Sequence, residues 1–264
     1  MSAPSLTPGT DYLQSPLLSG LGFSHAFFCR SGGASTGPYA SLSFSVAAGD
    51  DPAHVEENLR RAAGVLGVAA DRVLYLSQVH GTEVVTADAA ATREQTLEQR
   101  GDGILSQSPV VACGVRSADC VPLLLAHVES GAVCAAHAGW RGVAGGMAAA
   151  AVDALRREVG PGRVVAAIGP HIGAEAFEVG DDVADALEAA CPRANAVNRE
   201  RWPKPHVSLL QILVEQLREV GLDARDVEFV GGCTMTDATR FFSYRRDGKL
   251  SGRHLSAIVP RRIV

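Results

Sequence analysis

The chain has 264 residues, of which 47% are hydrophobic and 20% are charged, with a formal net charge of −5. This length is enough to bury a core, and the mild acidity argues against a nucleic-acid-binding protein. No window reaches the roughly 18 consecutive apolar residues of a membrane span, and the N-terminus lacks a basic segment followed by an apolar one. Since the six cysteines are irregularly spaced and no secretory signal is visible, we expect a cytoplasmic protein with reduced thiols.

Secondary-structure patterns can be followed along the chain from residue 1. Proline, serine and glycine in residues 1–21 predict a loose lead-in, with ordered structure starting near Gly22. Apolar runs typical of β-strands occupy residues 72–79, 110–115, 120–128, 132–138 and 164–169. Helical periodicity and helix-end signals occupy residues 54–67, 142–160, 181–190 and 207–221. Because strands and helices alternate without a strict βαβ rhythm, we predict one α/β domain over residues 22–264, with helices packed on mixed β-sheets.

Two of the predicted strands form a hairpin that brings a cysteine close to a histidine. Cys120 opens the first strand, His137 closes the second, and the turn "ESG" occupies residues 129–131. In an antiparallel hairpin, paired residues lie at equal distances from the centre of the turn. If Cys120 paired with His137, that centre would lie within a residue or two of the visible turn, so the two side chains are predicted to be direct or diagonal neighbours. Directly opposed Cβ atoms lie roughly 4.5–5.5 Å apart. This separation suits two ligands of one metal ion, or a thiol and its base.

His80 is the candidate for a third ligand, because it directly follows the apolar run of residues 72–79 and precedes Gly81. Two histidines and one cysteine form a three-ligand zinc site with an open fourth position, the arrangement of a catalytic zinc. A single cysteine in an apolar run is more often a core residue. The residues alone therefore leave a metal site, a thiol site and a structural role open.

Six motifs along the chain resemble those of the laccase-domain, or polyphenol oxidase (YfiH-like), family. They are QVHGTEV, ADCVPLLL, HAGWRG, IGPHIGAEAFEVG, the pair CT at 233–234, and FFSYRRDGKLSGR, and they occur in the family's order. The resemblance as a whole runs from about residue 28 to residue 258. The resemblance implies an α/β domain similar to a cysteine-hydrolase-like toxin or deamidase domain. It also implies a zinc ion held by His80, Cys120 and His137.

The same resemblance implies an enzyme that acts on purine nucleosides with phosphate. The expected reactions are phosphorolysis of adenosine, inosine, guanosine or methylthioadenosine, and deamination of adenosine. Some bacterial members of the family are instead linked to quality control of peptidoglycan precursors. Three positions depart from the family's usual residues, namely Cys29, Ser43 and His171. Substrate preference is therefore less firmly implied than the metal site.

Roles for individual residues follow from this chemistry. Zinc lowers the pKa of a bound water to about 7, and such a water would attack C6 of adenine during deamination. Phosphate requires cations, and arginine is suited to bidentate contacts with it. The predicted phosphate- or substrate-binding residues are Arg30, Arg141, Arg245 and Arg253. Asp119 is predicted either to transfer protons or to orient a ligand histidine.

Three other kinds of site could contain the same residues: a multicopper centre, a metal-free hydrolase site and a structural zinc site. A multicopper oxidase needs many histidines, usually as HxH pairs, whereas this chain has eight histidines and no such pair, so copper is expected only as an adventitious occupant. A metal-free amidase or hydrolase, possibly acting on peptidoglycan precursors, would use Cys120 as the nucleophile and His137 as the base, and would leave His80 without a role. A structural zinc site would need a fourth protein ligand, such as Cys113 or His171. The expected partners are purine nucleosides and phosphate, not nucleic acid or a membrane, and the protein is expected to be a monomer or homodimer.

Overall fold

The strands and helices of a computed structural model, which describes residues 9–263, follow one another without a fixed βαβ repeat. The strands are β1 (Tyr12–Leu13), β2 (His25–Phe28), β3 (Val73–Leu74), β4 (Val84–Thr86), β5 (Gly103–Ser106), β6 (Ala112–Ser117), β7 (Val121–His127), β8 (Val133–Ala138), β9 (Val164–Ile168), β10 (Val197–Asn198), β11 (His206–Val207), β12 (Val227–Phe229) and β13 (His254–Ile258). The α-helices are α1 (Pro16–Gly20), α2 (Pro52–Leu66), α3 (Arg93–Glu98), α4 (Trp140–Ala144), α5 (Met147–Val159), α6 (Asp181–Ala190), α7 (Leu209–Glu219) and α8 (Tyr244–Asp247).

Two mixed sheets dominate the domain. One has five strands in the order β1-β2-β13-β6-β3, and the other has six in the order β12-β9-β7-β8-β5-β4. The pairs β3–β6, β4–β5 and β12–β9 are parallel, and the remaining pairs of the two sheets are antiparallel. A short third sheet pairs β10 with β11. The predicted class, a single α/β domain with mixed sheets, is confirmed.

The two large sheets pack face to face, and helices cover their outer faces. Helix α2 covers the five-stranded sheet, and helices α5 and α7 cover the six-stranded sheet. Side chains along β7 alternate between the two sides: Leu123 and Leu125 contact the helices, while Leu124 and Ala126 contact the other sheet. Because this strand is buried on both faces, its sequence is a nearly continuous apolar run.

Most of the predicted helices form close to their expected bounds. The helix predicted over 181–190 coincides with α6, the helix predicted over 207–221 contains α7, and α2 begins two residues before the predicted 54–67. The single helix predicted over 142–160 was wrong, because the chain forms α4 and α5 there. Gly146 has a φ of 83°, a left-handed conformation that ends one helix before the next begins.

Two other predictions need correction. The strand predicted over 72–79 forms only as the two-residue β3, because the backbone after Ser77 bends toward β5. Ordered structure does not start near Gly22, since β1 pairs with β2 and the side chain of Leu18 in α1 is fully buried. Residues 1–8 of the predicted loose lead-in lie outside the described residues.

Cellular location and assembly stay predictions. All six cysteines are free thiols. Between residues 9 and 263, none of the helices has both the length and the apolar character needed to cross a membrane. The expected cytoplasmic location and the expected monomer or homodimer are tested by neither observation.

His254, in β13, is a buried histidine whose two ring nitrogens are both used inside the protein. Its Nε2 accepts a hydrogen bond from the backbone N–H of Phe242 at 2.7 Å, and its Nδ1 donates to the carbonyl of Phe28 at 3.0 Å. Burial lowers the pKa of His254 to about 4. An unfolded histidine titrates near pH 6.5, so on acidification the unfolded chain takes up this proton first. The stability contributed by neutral His254 is therefore present above pH 6.5 and is lost as the pH falls toward 4.

The variant His254→Gln should remove this pH dependence. At pH 5 the parent should have lost about 2 kcal/mol of its free energy of unfolding through this one group, relative to pH 7.5. The gap in stability between parent and variant should narrow by that amount, as measured by urea unfolding at both pH values. The control His54→Gln, on α2, should follow the parent at both pH values. A gap of constant size would contradict the prediction.

Candidate active site

The three predicted metal ligands converge where two strands of the six-stranded sheet begin and end. Strand β7 starts directly after Cys120, and His137 lies at the end of β8. The register pairs Pro122, not Cys120, with His137. Because Cys120 is two residues from Pro122, the side chains of Cys120 and His137 are diagonal rather than direct neighbours. One potential ligand atom from each of His80, Cys120 and His137 lies within 4.8 Å of the other two.

A buried carboxylate, Asp102, holds two of these ligands in place. Its Oδ1 accepts from Nδ1 of His137 at 2.8 Å and from the backbone N–H of His80 at 2.9 Å. Its Oδ2 accepts from the N–H of Gly81 at 2.6 Å and of Val79 at 3.1 Å. Because Nδ1 of His137 donates to Asp102, the Nε2 lone pair is left to bind a metal. Burial would raise the pKa of Asp102, but the bonds from His137 and the backbone N–H groups outweigh it and hold that pKa below its usual value.

Sequence reasoning missed Asp102. The residue stands between Gly101 and Gly103, directly before the apolar strand β5. An aspartate in that position is also typical of an ordinary turn, so the local pattern could not distinguish the two roles. Its role depends on β5 pairing with β8, which places Asp102 beside His137.

Left-handed backbone conformations mark both sides of the site. His80 has a φ of 62° and Asp119 has a φ of 91°, and these are two of the three described non-glycine residues with positive φ. Such conformations cost about 1–3 kcal/mol each and persist where surrounding contacts impose them. At His80 the contacts come from Asp102, whose carboxylate binds three consecutive N–H groups of the turn. The turn thus directs the His80 ring toward Cys120.

Gly139, which precedes α4, gives the ligands the space they need. A Cβ atom at this position would lie 2.7 Å from Cδ2 of His80 and 3.1 Å from Sγ of Cys120. The first distance is shorter than side chains tolerate, so any other residue would displace the His80 ring. The glycine in "HAGWRG" is therefore required by contact with the ligands rather than by its φ of −70°.

Cys120 and His137 stabilise each other's charged forms. Burial would raise the pKa of the Cys120 thiol, but the charge and hydrogen bond of His137, with help from His80, hold that pKa below its usual value. Burial would lower the pKa of His137, but Cys120 and Asp102 raise it. The thiolate is the form of cysteine that binds metals and the form that acts as a nucleophile.

A pocket of about 640 Å³ lies over these ligands. This volume is in the range of small-molecule sites. Its lining contains all three ligands together with one carboxylate, Asp119, and three arginines, Arg116, Arg245 and Arg253. Phe177 and Tyr244 supply the aromatic surface. The site can therefore hold an anionic group and an aromatic group side by side.

The four arginines predicted to bind phosphate or substrate separate into two groups. Arg245 and Arg253 line the pocket, whereas Arg30 and Arg141 are absent from its lining. Arg30 donates to the carbonyls of Ala40 and Ala238, and the guanidinium of Arg141 lies 4.3 Å from the ring of Trp140. The position of these two arginines does not favour contact with a ligand in the pocket. Arg116, which the sequence did not single out, lines the pocket instead.

Asp119 lines the pocket, but its carboxylate bonds to groups other than the predicted ligand histidines. Its Oδ1 accepts from the hydroxyl of Thr234 and its Oδ2 from the backbone N–H of Arg245, each at 2.6 Å. The carboxylate that bonds to a predicted ligand histidine is Asp102, and among the described residues Asp119 has no hydrogen bond to His80 or His137. Asp119 instead ties residues 234 and 245 to the β6–β7 connection beside Cys120.

The two candidates for a fourth protein ligand lie apart from the cluster. His171 donates through Nδ1 to the carbonyl of Gly169 at 2.8 Å, and Cys113 is buried in the core between the sheets. Within residues 9–263 the cluster consists of three residues, and all three line the pocket. Imidazole and thiolate donors suit zinc or copper rather than magnesium or calcium. The donor set thus fits zinc or copper, and the pocket gives a ligand access to the cluster.

An α/β sandwich with a His–Cys–His cluster open to a pocket is the class of protein that the fold and the site define. Residues 24–261 match the family described as multi-copper polyphenol oxidoreductase laccase, and the chain belongs to this family. The family resemblance expected from the motifs is confirmed. The family description names several coppers, whereas the part of the chain that the structure describes contains one group of three potential ligands.

Named relatives and solved structures agree with this assignment. A purine nucleoside phosphorylase from Deinococcus radiodurans is 40% identical over 257 residues, which cover 97% of this chain and 95% of the relative. The purine nucleoside phosphorylase YfiH from Escherichia coli is 38% identical, covering 87% of this chain and 90% of its own. The crystal structure of YlmD from Geobacillus stearothermophilus has a TM-score of 0.84 at 31% identity and covers 94% of each chain. The Neisseria meningitidis protein NMB0706 has a TM-score of 0.81 at 33% identity, covering 96% of this chain and 99% of its own. The expected likeness to a cysteine-hydrolase-like toxin domain stays a prediction.

The variant Asp102→Asn tests the positioning role of the buried carboxylate. Asparagine keeps the size of the side chain but replaces one carboxylate oxygen with an NH₂ group. In the parent, N–H groups donate to both oxygens, so in the variant the NH₂ group would face another donor. We expect zinc affinity to fall about 10- to 100-fold, measured by competition with a chromophoric chelator. The control Asp226→Asn removes another buried carboxylate, which pairs with Arg163 at 2.6 Å, and should leave zinc affinity unchanged. Equal losses in the two variants would contradict the role.

The variant Gly139→Ala tests the space between the ligands. Its Cβ should displace the His80 ring from the position in which His80, Cys120 and His137 could share a metal ion, while most of the fold does not depend on that ring. We expect a melting temperature close to that of the parent without metal, and a much smaller rise in that temperature on adding zinc. The control Gly20→Ala places a Cβ with nothing within 4 Å and should respond to zinc as the parent does. A parent-like rise in Gly139→Ala would rule out the proposed steric requirement.

Proposed function

We propose that this protein is a zinc-dependent purine nucleoside phosphorylase that also deaminates adenosine. The observation that carries the proposal is the juxtaposition, in one pocket, of a three-ligand metal site with three arginines. The names of the relatives from Deinococcus radiodurans and Escherichia coli support the same reaction. The proposed substrates are adenosine, inosine, guanosine or methylthioadenosine, with phosphate.

His80, Cys120 and His137 would hold the zinc ion, which when bound would supply positive charge for polarising a substrate oxygen. In phosphorolysis a phosphate oxygen bonds to the anomeric carbon while the glycosidic C–N bond breaks, and the purine leaves with the electron pair and takes up a proton. The pocket arginines stabilise the phosphate, which is an electrostatic contribution to the transition state. Asp119 is the one carboxylate among the described lining residues and the candidate for proton transfer to or from the purine.

The aromatic surface of the pocket favours Tyr244 over Trp140 as the residue that stacks on the purine. The side chain of Tyr244 is 47% exposed and lines the pocket. Trp140 packs against the core under the helices and is absent from the lining. A purine lying on Tyr244 would be next to Arg253, whose guanidinium is 5.5 Å from that ring.

Zinc is proposed over copper on the basis of the donor set. Multicopper sites need many more histidines than one cluster of three ligands provides. A Cys–His₂ set also resembles a blue-copper centre, which requires a weak axial ligand such as methionine. Met147 is fully buried in the core and absent from the pocket lining. Metal analysis of the purified protein should find about one zinc per chain, and a coloured copper protein would contradict this assignment.

The decisive experiment is product analysis after incubating adenosine with the metal-loaded protein, with and without phosphate. We expect adenine and ribose 1-phosphate only when phosphate is present, and inosine in both conditions. Cys120→Ser should abolish both products because the thiolate ligand is lost. The control Cys191→Ser changes a cysteine at the end of α6 and should retain activity. If none of the four nucleosides gives a product, the proposed function is wrong.

A metal-free amidase or hydrolase is the second candidate, because Asp102, His137 and Cys120 also form a possible nucleophilic triad. Asp102 orients His137, and His137 lowers the pKa of the Cys120 thiol, as the base does in cysteine hydrolases. The variant His80→Ala separates the two functions, since a triad does not need that residue. Loss of zinc and of phosphorolysis in His80→Ala supports the phosphorylase. Hydrolysis of an amide, such as a peptidoglycan precursor, by the metal-free variant would support the hydrolase.

A further inference from the structure

Two arginines lie next to each other on one face of the five-stranded sheet, at the wall of the pocket. Arg116 is in β6 and pairs with Leu255 of β13. Arg253 stands directly before β13, two residues from Leu255, so its side chain points to the same face as that of Arg116. Both side chains line the pocket together with Cys120.

Among the described residues, neither guanidinium group forms an ion pair with a carboxylate, although the charges of Asp119 and Cys120 act on Arg253 from nearby. None of the ion pairs between residues 9 and 263 involves Arg116 or Arg253. Burial, together with the nearby charge of Arg253, lowers the pKa of Arg116, and burial also lowers that of Arg253. Cys120 and Asp119 offset the charge of Arg253 only in part, since its pKa is still lowered, and no carboxylate among the described residues acts on Arg116. Two adjacent, partly buried positive charges of this kind favour the binding of an anion between them.

The protein fixes both groups but leaves most of their donors free. Arg116 uses only Nη2, in a long bond of 3.4 Å to the carbonyl of Leu76, and Arg253 uses only Nη1, in bonds to the carbonyls of Ser251 and Gly252. Within the described part of the chain, the other guanidinium N–H groups have no protein acceptor. The buried polar side-chain atoms that lack a hydrogen bond include none from Arg116 or Arg253. The free N–H groups of these two arginines are therefore in contact with solvent.

Further contacts hold Arg116 in position before any ligand arrives. The side-chain amide of Gln78 bonds to both the N–H and the carbonyl of Arg116, each at 2.8 Å. The Arg116 guanidinium lies 4.3 Å from the ring centre of Tyr75. Gln78 is two residues from the ligand His80, so the turn that carries the metal ligand also fixes the arginine. A group that is ordered in advance loses little entropy when it binds its partner.

We propose that Arg116 and Arg253 form the subsite for the phosphate that attacks the nucleoside. This inference rests on the proposed function and assigns its anionic substrate to two named residues. Each guanidinium offers a planar fork of donors that matches phosphate oxygens, and two forks match a dianion. Arg245 is at the exposed rim and already donates to the carbonyl of Glu178, so it contributes less.

The test measures the binding of inorganic phosphate to the zinc-loaded protein without nucleoside, by ³¹P NMR titration. Arg116→Gln and Arg253→Gln should each weaken phosphate binding about 10- to 100-fold. Arg116→Lys keeps the charge but not the fork and should lie between parent and Arg116→Gln. The control Arg157→Gln changes an exposed arginine of α5 and should bind phosphate as the parent does. Melting temperatures establish that each variant is folded.

Kinetics with adenosine separate this subsite from the function on which it rests. The KM for phosphate should rise at least 10-fold in Arg116→Gln, while the KM for adenosine changes less than threefold. Phosphorolysis by the parent with unchanged phosphate binding in both glutamine variants would overturn the subsite and leave the function standing. Phosphate binding that depends on both arginines, without cleavage of any nucleoside, would leave the subsite standing and overturn the function.

A third arm distinguishes free phosphate from a phosphate ester. Adenosine 5′-monophosphate is titrated against parent and variants under the same conditions. Binding of inorganic phosphate that is at least as tight as that of the monophosphate, and equally dependent on Arg116, supports the proposal. Binding of the monophosphate alone would mean that the arginines recognise a nucleotide, and would overturn it. The absence of binding by either anion would overturn it as well.

Discussion

The hydrogen bonds of one buried carboxylate, Asp102, support the rest of the site. Placing a charge in the interior is costly unless donors surround it, and here three consecutive backbone N–H groups and the His137 ring do so. The same bonds impose the left-handed conformation of His80 and select the nitrogen that His137 presents. Two predicted metal ligands from distant parts of the chain are therefore oriented by a residue that is not itself one of the three.

The pocket combines residues from both sheets. Cys120, His137 and Asp102 lie at the ends of strands in the six-stranded sheet, whereas Arg116 lies in a strand of the five-stranded sheet and Arg253 directly precedes another. The chain passes from one sheet to the other between β6 and β7. This connection places Arg116 four residues from Cys120, a predicted metal ligand, on the opposite sheet. Packing of the two sheets consequently sets the distance between the proposed metal and the proposed phosphate.

One histidine separates the two chemistries that this arrangement permits. A nucleophilic cysteine needs a base and a residue that orients the base, and Cys120, His137 and Asp102 meet that requirement alone. His80 places a third potential ligand atom within 4.8 Å of those of Cys120 and His137. Gly139 leaves the space that both the His80 ring and Cys120 occupy. A site that brings these two side chains together is better explained by a shared metal ion than by a triad, which does not need His80.

Local patterns in the sequence determined most of the apolar strands, helix α6 and the grouping of Cys120 with His137, because each depends on neighbours along the chain or across one short hairpin. The position of His80 after an apolar run made it the candidate for a third ligand, and the family motifs pointed to the same residue. Only the tertiary structure decided the exact register, the division of the helix at Gly146 and the roles of Asp102 and Arg116. Those features arise where strands far apart in sequence pair or pack, and periodicity within a single segment carries no information about which distant strand will lie beside it.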